Sequence, residues 1–259
     1  MERREFIQKT VLATAAVTAT GVASAKATPQ QQSKEIYEWR VYDPMRGGKP
    51  VLDNYFSTAL IPALNRFGVK NVGAFIQTSR NEPAPIYLMI AYPSFDFYRK
   101  VNEALKTDKE FIQAATKYDQ QPADKPSFAR FDTSLMIAFD GMPKMAAPQT
   151  GQRYFELRTY EGYNEDAVRR KIKMFNENEF GIFNRVKLNS VFFGEVIAGK
   201  NMPALTYMTT FKTMEEQDAA WKAFGADTEW QKISKDEQYA NTVSKIYKTF
   251  LEPLPYSQI

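Results

Sequence analysis

The 259-residue chain contains no cysteine and no histidine. That excludes disulfides, thiolate or imidazole metal ligands, Ser-His-Asp and Cys-His catalytic engines, and His-ligated haem. Lipid attachment through an N-terminal cysteine is excluded as well. Chemistry here must come from Glu, Asp, Arg, Lys, Tyr, Ser or Thr, or from a borrowed cofactor. None is predicted, metal or organic. Long hydrophobic runs are also missing: no stretch approaches the roughly 18 uninterrupted apolar residues of a membrane span. Phosphate loops are lacking too. Arg46-Gly47-Gly48-Lys49 is too short for one and reads as a turn, and no Gly-x-Gly-x-x-Gly fingerprint occurs. The net charge of +4 is spread, with Lys and Arg alternating with Asp and Glu, so no basic stripe suggests nucleic acid.

What is abundant is aromatic, with 14 Tyr and 19 Phe, enough for packed cores in one or two domains. The first residues form an address. Arg3-Arg4, then Phe6, precede a weakly apolar run from Val11, and Ala23-Ser24-Ala25 supplies a small-x-small cleavage pattern. This resembles a twin-arginine export signal over residues 1–25, with Glu2 as a departure. It implies a soluble periplasmic or extracellular protein without an integral membrane segment, led in by a disordered stretch over 26–34.

The rest of the chain says the same thing twice. Tyr37-Glu38-Trp39-Arg40-Val41-Tyr42 returns 118 residues later as Phe155-Glu156-Leu157-Arg158-Thr159-Tyr160. At nearly the same offset, Asn65-Arg66 returns as Asn184-Arg185, and Asp108-Lys-Glu110-Phe111 as Asp227-Thr-Glu229-Trp230. The period is too long for a solenoid unit, so it marks two copies of one small domain, 35–140 and 152–259, joined by a linker over 141–151. In each copy, alternating and helical periodicities follow in the order β-α-β-β-α-β, with an extra helix before the last strand. Ser94, Asp108, Asn164, Thr213 and Asp227 stand where helix caps belong. The fold class is α+β: two tandem ferredoxin-like domains packed sheet to sheet as an α/β barrel within one chain.

Strand alternation then sorts the repeated motif. With Tyr37, Trp39 and Val41, and Phe155, Leu157 and Thr159, assigned to the helices, the polar set points into the barrel. Glu38, Arg40, Tyr42, Glu156, Arg158 and Tyr160 are therefore the candidate ligand-binding residues. Arg40 and Arg158 suit an anionic or carbonyl group, Tyr42 and Tyr160 can donate, and Glu38 and Glu156 can act as bases if burial raises them. The alternative for the same residues is structural ion pairing across the strand face. Asp108 and Asp227, with the Glu and aromatic that follow each, read as helix starts. Glu177, Glu179, Glu215 and Glu216 read as solvated faces.

Copy two, through Tyr154 to Tyr160, Leu205 to Gln217 and Ala226-Asp227-Thr-Glu229-Trp230-Gln231, resembles the NIPSNAP family. Copy one resembles it more loosely, with Phe111 in place of the Trp. The resemblance implies the dimeric α/β-barrel superfamily but carries no settled activity. Gln217 stands where members often carry Arg, which weakens any role resting on that Arg. Related barrels include small oxygenases and haem enzymes with a proximal His; the lack of His argues against the haem branch, an unusual Tyr ligand aside. Three functions stay open: binding of a small organic ligand in the barrel, a cofactor-independent oxygenase or isomerase built on Glu, Arg and Tyr, and a structural interaction protein. A homo-oligomer is compatible with each.

Overall fold

The computed structural model describes residues 33–78 and 82–259. The expected export signal over 1–25 and most of the expected lead-in lie outside the described residues. Eight strands form one closed antiparallel barrel in the order β1-β3-β2-β8-β5-β7-β6-β4. They are β1 Ile36–Pro44, β2 Gly73–Gln77, β3 Ile86–Tyr92, β4 Phe128–Ala138, β5 Tyr154–Glu161, β6 Asn189–Ala198, β7 Ala204–Phe211 and β8 Lys245–Pro253. Read from β4, the order 4-1-3-2 is followed by 8-5-7-6, the same arrangement twice. The seams are the pairs β2–β8 and β4–β6.

Helices pack on the outside. The first half carries α1 Lys49–Tyr55, α2 Ile61–Arg66, α3 Phe95–Leu105 and α4 Lys109–Asp119; the second carries α5 Glu165–Met174, α6 Phe180–Val186, α7 Met214–Ala226 and α8 Thr228–Ile233. Between α1 and α2, and again between α5 and α6, one π-helical turn intervenes, Phe56–Leu60 and Phe175–Glu179. Pro62 follows the first turn, but Gly181 occupies the matching place in the second half, so proline does not cause it. All five cap residues accept a hydrogen bond from the first turn of their helix. The cap aspartates have a second partner: Arg66 reaches Asp108 at 2.6 Å and Glu110 at 2.7 Å, and Arg185 reaches Asp227 at 2.8 Å and Glu229 at 3.0 Å. The repeated Asn-Arg and Asp-x-Glu motifs thus meet, once in each half. Among the described residues no helix is long and apolar enough to cross a membrane.

Three apolar clusters hold this together. One lies under the helices of the first half and one under those of the second. The third fills the barrel with side chains from all eight strands, among them Trp39, Phe75, Met136, Leu157, Phe192, Met208 and Leu251. Trp39 touches the rings of Phe75, Tyr87 and Phe192. Each large side chain so buried contributes roughly 1.5–3 kcal/mol. Because this core is common to both halves, residues 33–259 form a single compact unit.

The barrel core reverses the facing expected from the sequence. Tyr37, Trp39, Val41, Phe155 and Leu157 belong to the barrel interior, where Thr159 bonds Thr206 at 2.9 Å. Glu38, Arg40, Tyr42, Glu156, Arg158 and Tyr160 are therefore not interior residues: they face the helices. The physical reason is the supply of partners. Inside the barrel the surrounding cluster is apolar and aromatic, with few groups able to partner a charge. The helix layer brings an indole, an amide and hydroxyls to the charges, which buried ions require.

Candidate functional site

In the second half, β5 presents Glu156, Arg158 and Tyr160 to the helices, and β7 places Tyr207 beside them. Glu156 is fully buried and saturated. Its Oε1 accepts from Arg158 Nε at 2.6 Å; its Oε2 accepts from Gln217 Nε2 at 2.8 Å and Trp221 Nε1 at 2.6 Å. Thr213 caps α7 and so fixes the helix from which Gln217 and Trp221 reach down. The Arg158 guanidinium stacks 3.5 Å from the centre of the Trp221 ring, a cation–π contact, and its Nη1 points to Tyr160 Oη at 3.4 Å. Tyr160 and Tyr207 share a hydroxyl–hydroxyl bond of 2.8 Å. Burial works against the Arg158 charge, but Tyr207, Tyr160 and Glu156 more than offset it. Burial, then Tyr160, holds Tyr207 protonated far above the ordinary phenol range.

A second charged pair lies close by. Asn164 caps α5, which carries Lys171, and the π-turn that follows ends at Glu179. Lys171 Nζ donates to Glu179 Oε1, and both side chains are almost wholly buried, at 6% and 3% exposure. Glu179 was expected on a solvated face; the extra residue of the π-turn rotates it inward, while Glu177 stays exposed at 53%. Burial raises the Glu179 carboxyl above its usual range despite Lys171.

These groups line a cavity of about 420 Å³ outside the barrel, between sheet and helices. Arg158, Tyr160, Lys171, Glu179 and Tyr207 form its polar end, and Trp221, Phe224, Trp230 and Tyr239 its aromatic walls. Exposed Ser234 and Ile246 stand at its rim. Both cations are already matched by a carboxylate, so the polar end carries little net charge. It suits a neutral oxygen, such as a carbonyl or hydroxyl, better than a dianion.

The first half repeats the strand pair but not the cavity lining. Arg40 Nε donates to Glu38 at 2.6 Å, and Tyr92 Oη donates to Glu38 Oε2 at 2.9 Å. Leu52 and Leu60 take the places of Lys171 and Glu179, four residues before the start of the π-turn and at its end respectively, and both are buried in apolar surroundings. Leu88 takes the place of Tyr207 and Asn102 that of Trp221. Around Tyr42 the space is filled by rings: Phe131 stacks on it at 4.7 Å, Phe56 and Phe128 meet it edge-on, and Tyr55 stacks on Tyr118 at 3.9 Å. Of the six residues singled out in the sequence, then, Arg158 and Tyr160 line the cavity and Glu156 braces it from behind. Glu38, Arg40 and Tyr42 lie in the packed layer of the other half. Lys171, Glu179, Tyr207 and Trp221 were not foreseen.

The part of the chain that builds this cavity matches the NIPSNAP family model over residues 155–258. Over this segment the chain is similar to the NIPSNAP family. The NIPSNAP segment begins at the second aromatic-Glu-x-Arg-x-Tyr strand and includes every cavity residue. Among solved structures the chain is similar to a candidate monooxygenase from Lactobacillus acidophilus, at 9% identity and TM-score 0.57, covering 85% of this chain and 94% of that one. A candidate monooxygenase from Fusobacterium nucleatum gives 10% identity and TM-score 0.53, with 86% and 93% covered. A chlorite dismutase variant from Candidatus Nitrospira defluvii gives 6% and 0.52, with the same coverage. At such identities the likeness shows the α/β-barrel fold and nothing about chemistry. No curated protein matches the chain.

Proposed function

We propose that this protein binds a small organic molecule in the cavity of its NIPSNAP segment, in the layer between sheet and helices rather than in the barrel lumen. One observation carries this: the second half adds a further buried ion pair, Lys171–Glu179, at a cavity of about 420 Å³, where the first half has Leu52 and Leu60 packed among apolar side chains. An ion pair so buried adds little net stability, and an apolar pair of similar size often does as well or better. The first half demonstrates that the fold accepts that apolar solution. Cavities of this size, with mostly aromatic walls and a few convergent polar groups, are typical of small-ligand sites.

The chemistry of the walls defines the ligand: a planar apolar body against Trp221, Trp230 and Tyr239, with one uncharged oxygen toward Arg158 and the Tyr160–Tyr207 hydroxyls. Binding is favoured over an oxygenase or isomerase reaction because Glu156, the carboxylate nearest Arg158, has both oxygens committed. Haem is not proposed. The chain has no His or Cys, and Tyr207, held protonated by burial, is a poor anionic ligand. Each half is taken as one ferredoxin-like domain, and the twin-arginine-like start supports an exported protein that carries its ligand outside the cytoplasm.

Native mass spectrometry of the protein from its own source tests this. The wild type should retain a small molecule, and the Lys171→Leu/Glu179→Leu double variant, which installs the first half's residues, should fold and emerge bare. A bare wild type alongside an equally stable double variant would remove the basis for a ligand.

A further inference from the structure

We propose that Lys171 is a covalent anchor of this cavity, condensing with the aldehyde group of a small aromatic molecule, with Glu179 as its proton partner. The proposal rests on the binding function assigned to the cavity above. Lys171 Nζ lies in the cavity wall, and its hydrogen-bond partners are the Glu179 carboxylate and the weak acceptor Met174 Sδ at 3.4 Å. Its remaining surroundings are rings: the centres of Phe175, Trp230 and Tyr160 lie 4.7, 5.4 and 5.9 Å away. A primary amine in an aromatic cavity wall, with a carboxylate in contact to take and return its protons, has the two groups that imine formation needs. Proton transfer from Nζ to Glu179 leaves two neutral groups in contact, so the step creates no unpaired charge in the buried wall. The first half offers no such pair, having Leu at both positions.

The step balances without any oxidant or reductant. Glu179 takes a proton from the ammonium, and the freed amine forms a bond to the aldehyde carbon. The carboxyl passes that proton to the carbonyl oxygen, takes a second from the nitrogen of the adduct and gives it to the new hydroxyl; the C–O bond then breaks and one water leaves. The product is a protonated imine. It carries the charge the ammonium carried, so the ion pair with Glu179 survives in the adduct. Ketones, with a second substituent on the carbonyl carbon, are disfavoured against the crowded Phe175 and Trp230 rings.

The test uses the full chain, benzaldehyde as probe and cyanoborohydride to fix any imine as a stable amine, followed by peptide mapping. Lys171 should be modified about tenfold faster than Lys100, an exposed reference lysine, despite its burial. In the wild type, benzyl alcohol, which fits the cavity but cannot condense, should slow labelling at Lys171 and leave Lys100 unaffected. Glu179→Gln, which keeps the volume but takes no proton, should lose the preference. Labelling of Lys171 no faster than of Lys100 in the folded wild type overturns the proposal. If benzyl alcohol then still quenches the tryptophan fluorescence of the wild type, but not of Lys171→Leu/Glu179→Leu, the cavity binds without the covalent step and only the anchor falls. No quenching in either protein would overturn the anchor and the binding function together.

Discussion

Two glutamates at equivalent places in the repeat, Glu38 and Glu156, show how neighbours turn one residue type into two devices. Glu38 pairs with Arg40 and takes a hydroxyl from Tyr92, within a layer packed solid with rings. Glu156 takes an amide and an indole instead, and through them holds Arg158 flat on Trp221 at the edge of a cavity. Alternation in the sequence placed each motif's polar residues on one face, and that holds. It could not say which face, because both sides of the sheet are buried and period-2 patterning is silent when neither side meets water. Lys171 and Glu179 were legible in principle. Aligned on the repeat they fall on Leu52 and Leu60, apolar positions of the first copy's helix, which marks two charges as buried. Their burial has a consequence for pH. Glu179 has a folded-state pKa above its unfolded value of about 4.5, chiefly through desolvation. The native state therefore holds more protons across that interval, and stability falls as pH rises through it. Urea denaturation across the mildly acidic range should show the wild type losing stability relative to Lys171→Leu/Glu179→Leu as pH increases. A constant difference between the two proteins would mean that Glu179 titrates normally.

The helices that carry these side chains were largely legible, since capping is local chemistry. Ser94, Asp108, Asn164, Thr213 and Asp227 each sit one residue before an apolar periodic run, and each caps. The π-turns were not legible: inserting one residue leaves composition unchanged and merely shifts the periodicity, so each interrupted helix reads as continuous. Yet the insertion makes the site. In a regular α-helix, positions 171 and 179 are 80° out of register; with one residue absorbed by the wider turn, the two side chains return to one face and meet. The cap on α5 thus supports the cavity at a distance, by fixing where the helix begins. Replacing Asn164 by Ala removes the acceptor for the Ala167 N–H, bonded at 2.9 Å. This should lower stability by about 1 kcal/mol and the melting temperature by roughly 2–4 °C. It should also weaken ligand retention in native mass spectrometry, whereas Ser94→Ala, which uncaps α3 in the first half, should lower melting to a similar degree and spare the ligand. Equal ligand loss in both variants would tie retention to global stability rather than to α5.

The repeat was the most legible feature of the whole chain, and the closed barrel follows from it. A four-stranded sheet with helices on one side leaves its other face uncovered, and here each half covers the other with Trp39, Phe75, Met89 and Met136 against Phe155, Leu157, Phe192 and Met208. The two seams are of one kind. β2 pairs with β8 and β4 with β6, and since β6 and β8 occupy in the second half the places of β2 and β4, each seam joins the same two strand positions. A second copy of the second half therefore has edges able to replace those of the first. The fragment 152–259, made alone, would expose the faces of Phe155, Leu157, Val191, Phe192, Met208 and Leu251 and two strand edges, a combination that drives association. It should sediment as a dimer, with two β6–β8 seams closing an eight-stranded barrel, and should carry two copies of the Lys171–Glu179 cavity, since every residue lining that cavity lies within it. Ligand bound at one molecule per fragment would follow. A folded monomer would show instead that the second half covers its own sheet, and that the barrel core is not what holds the two halves together.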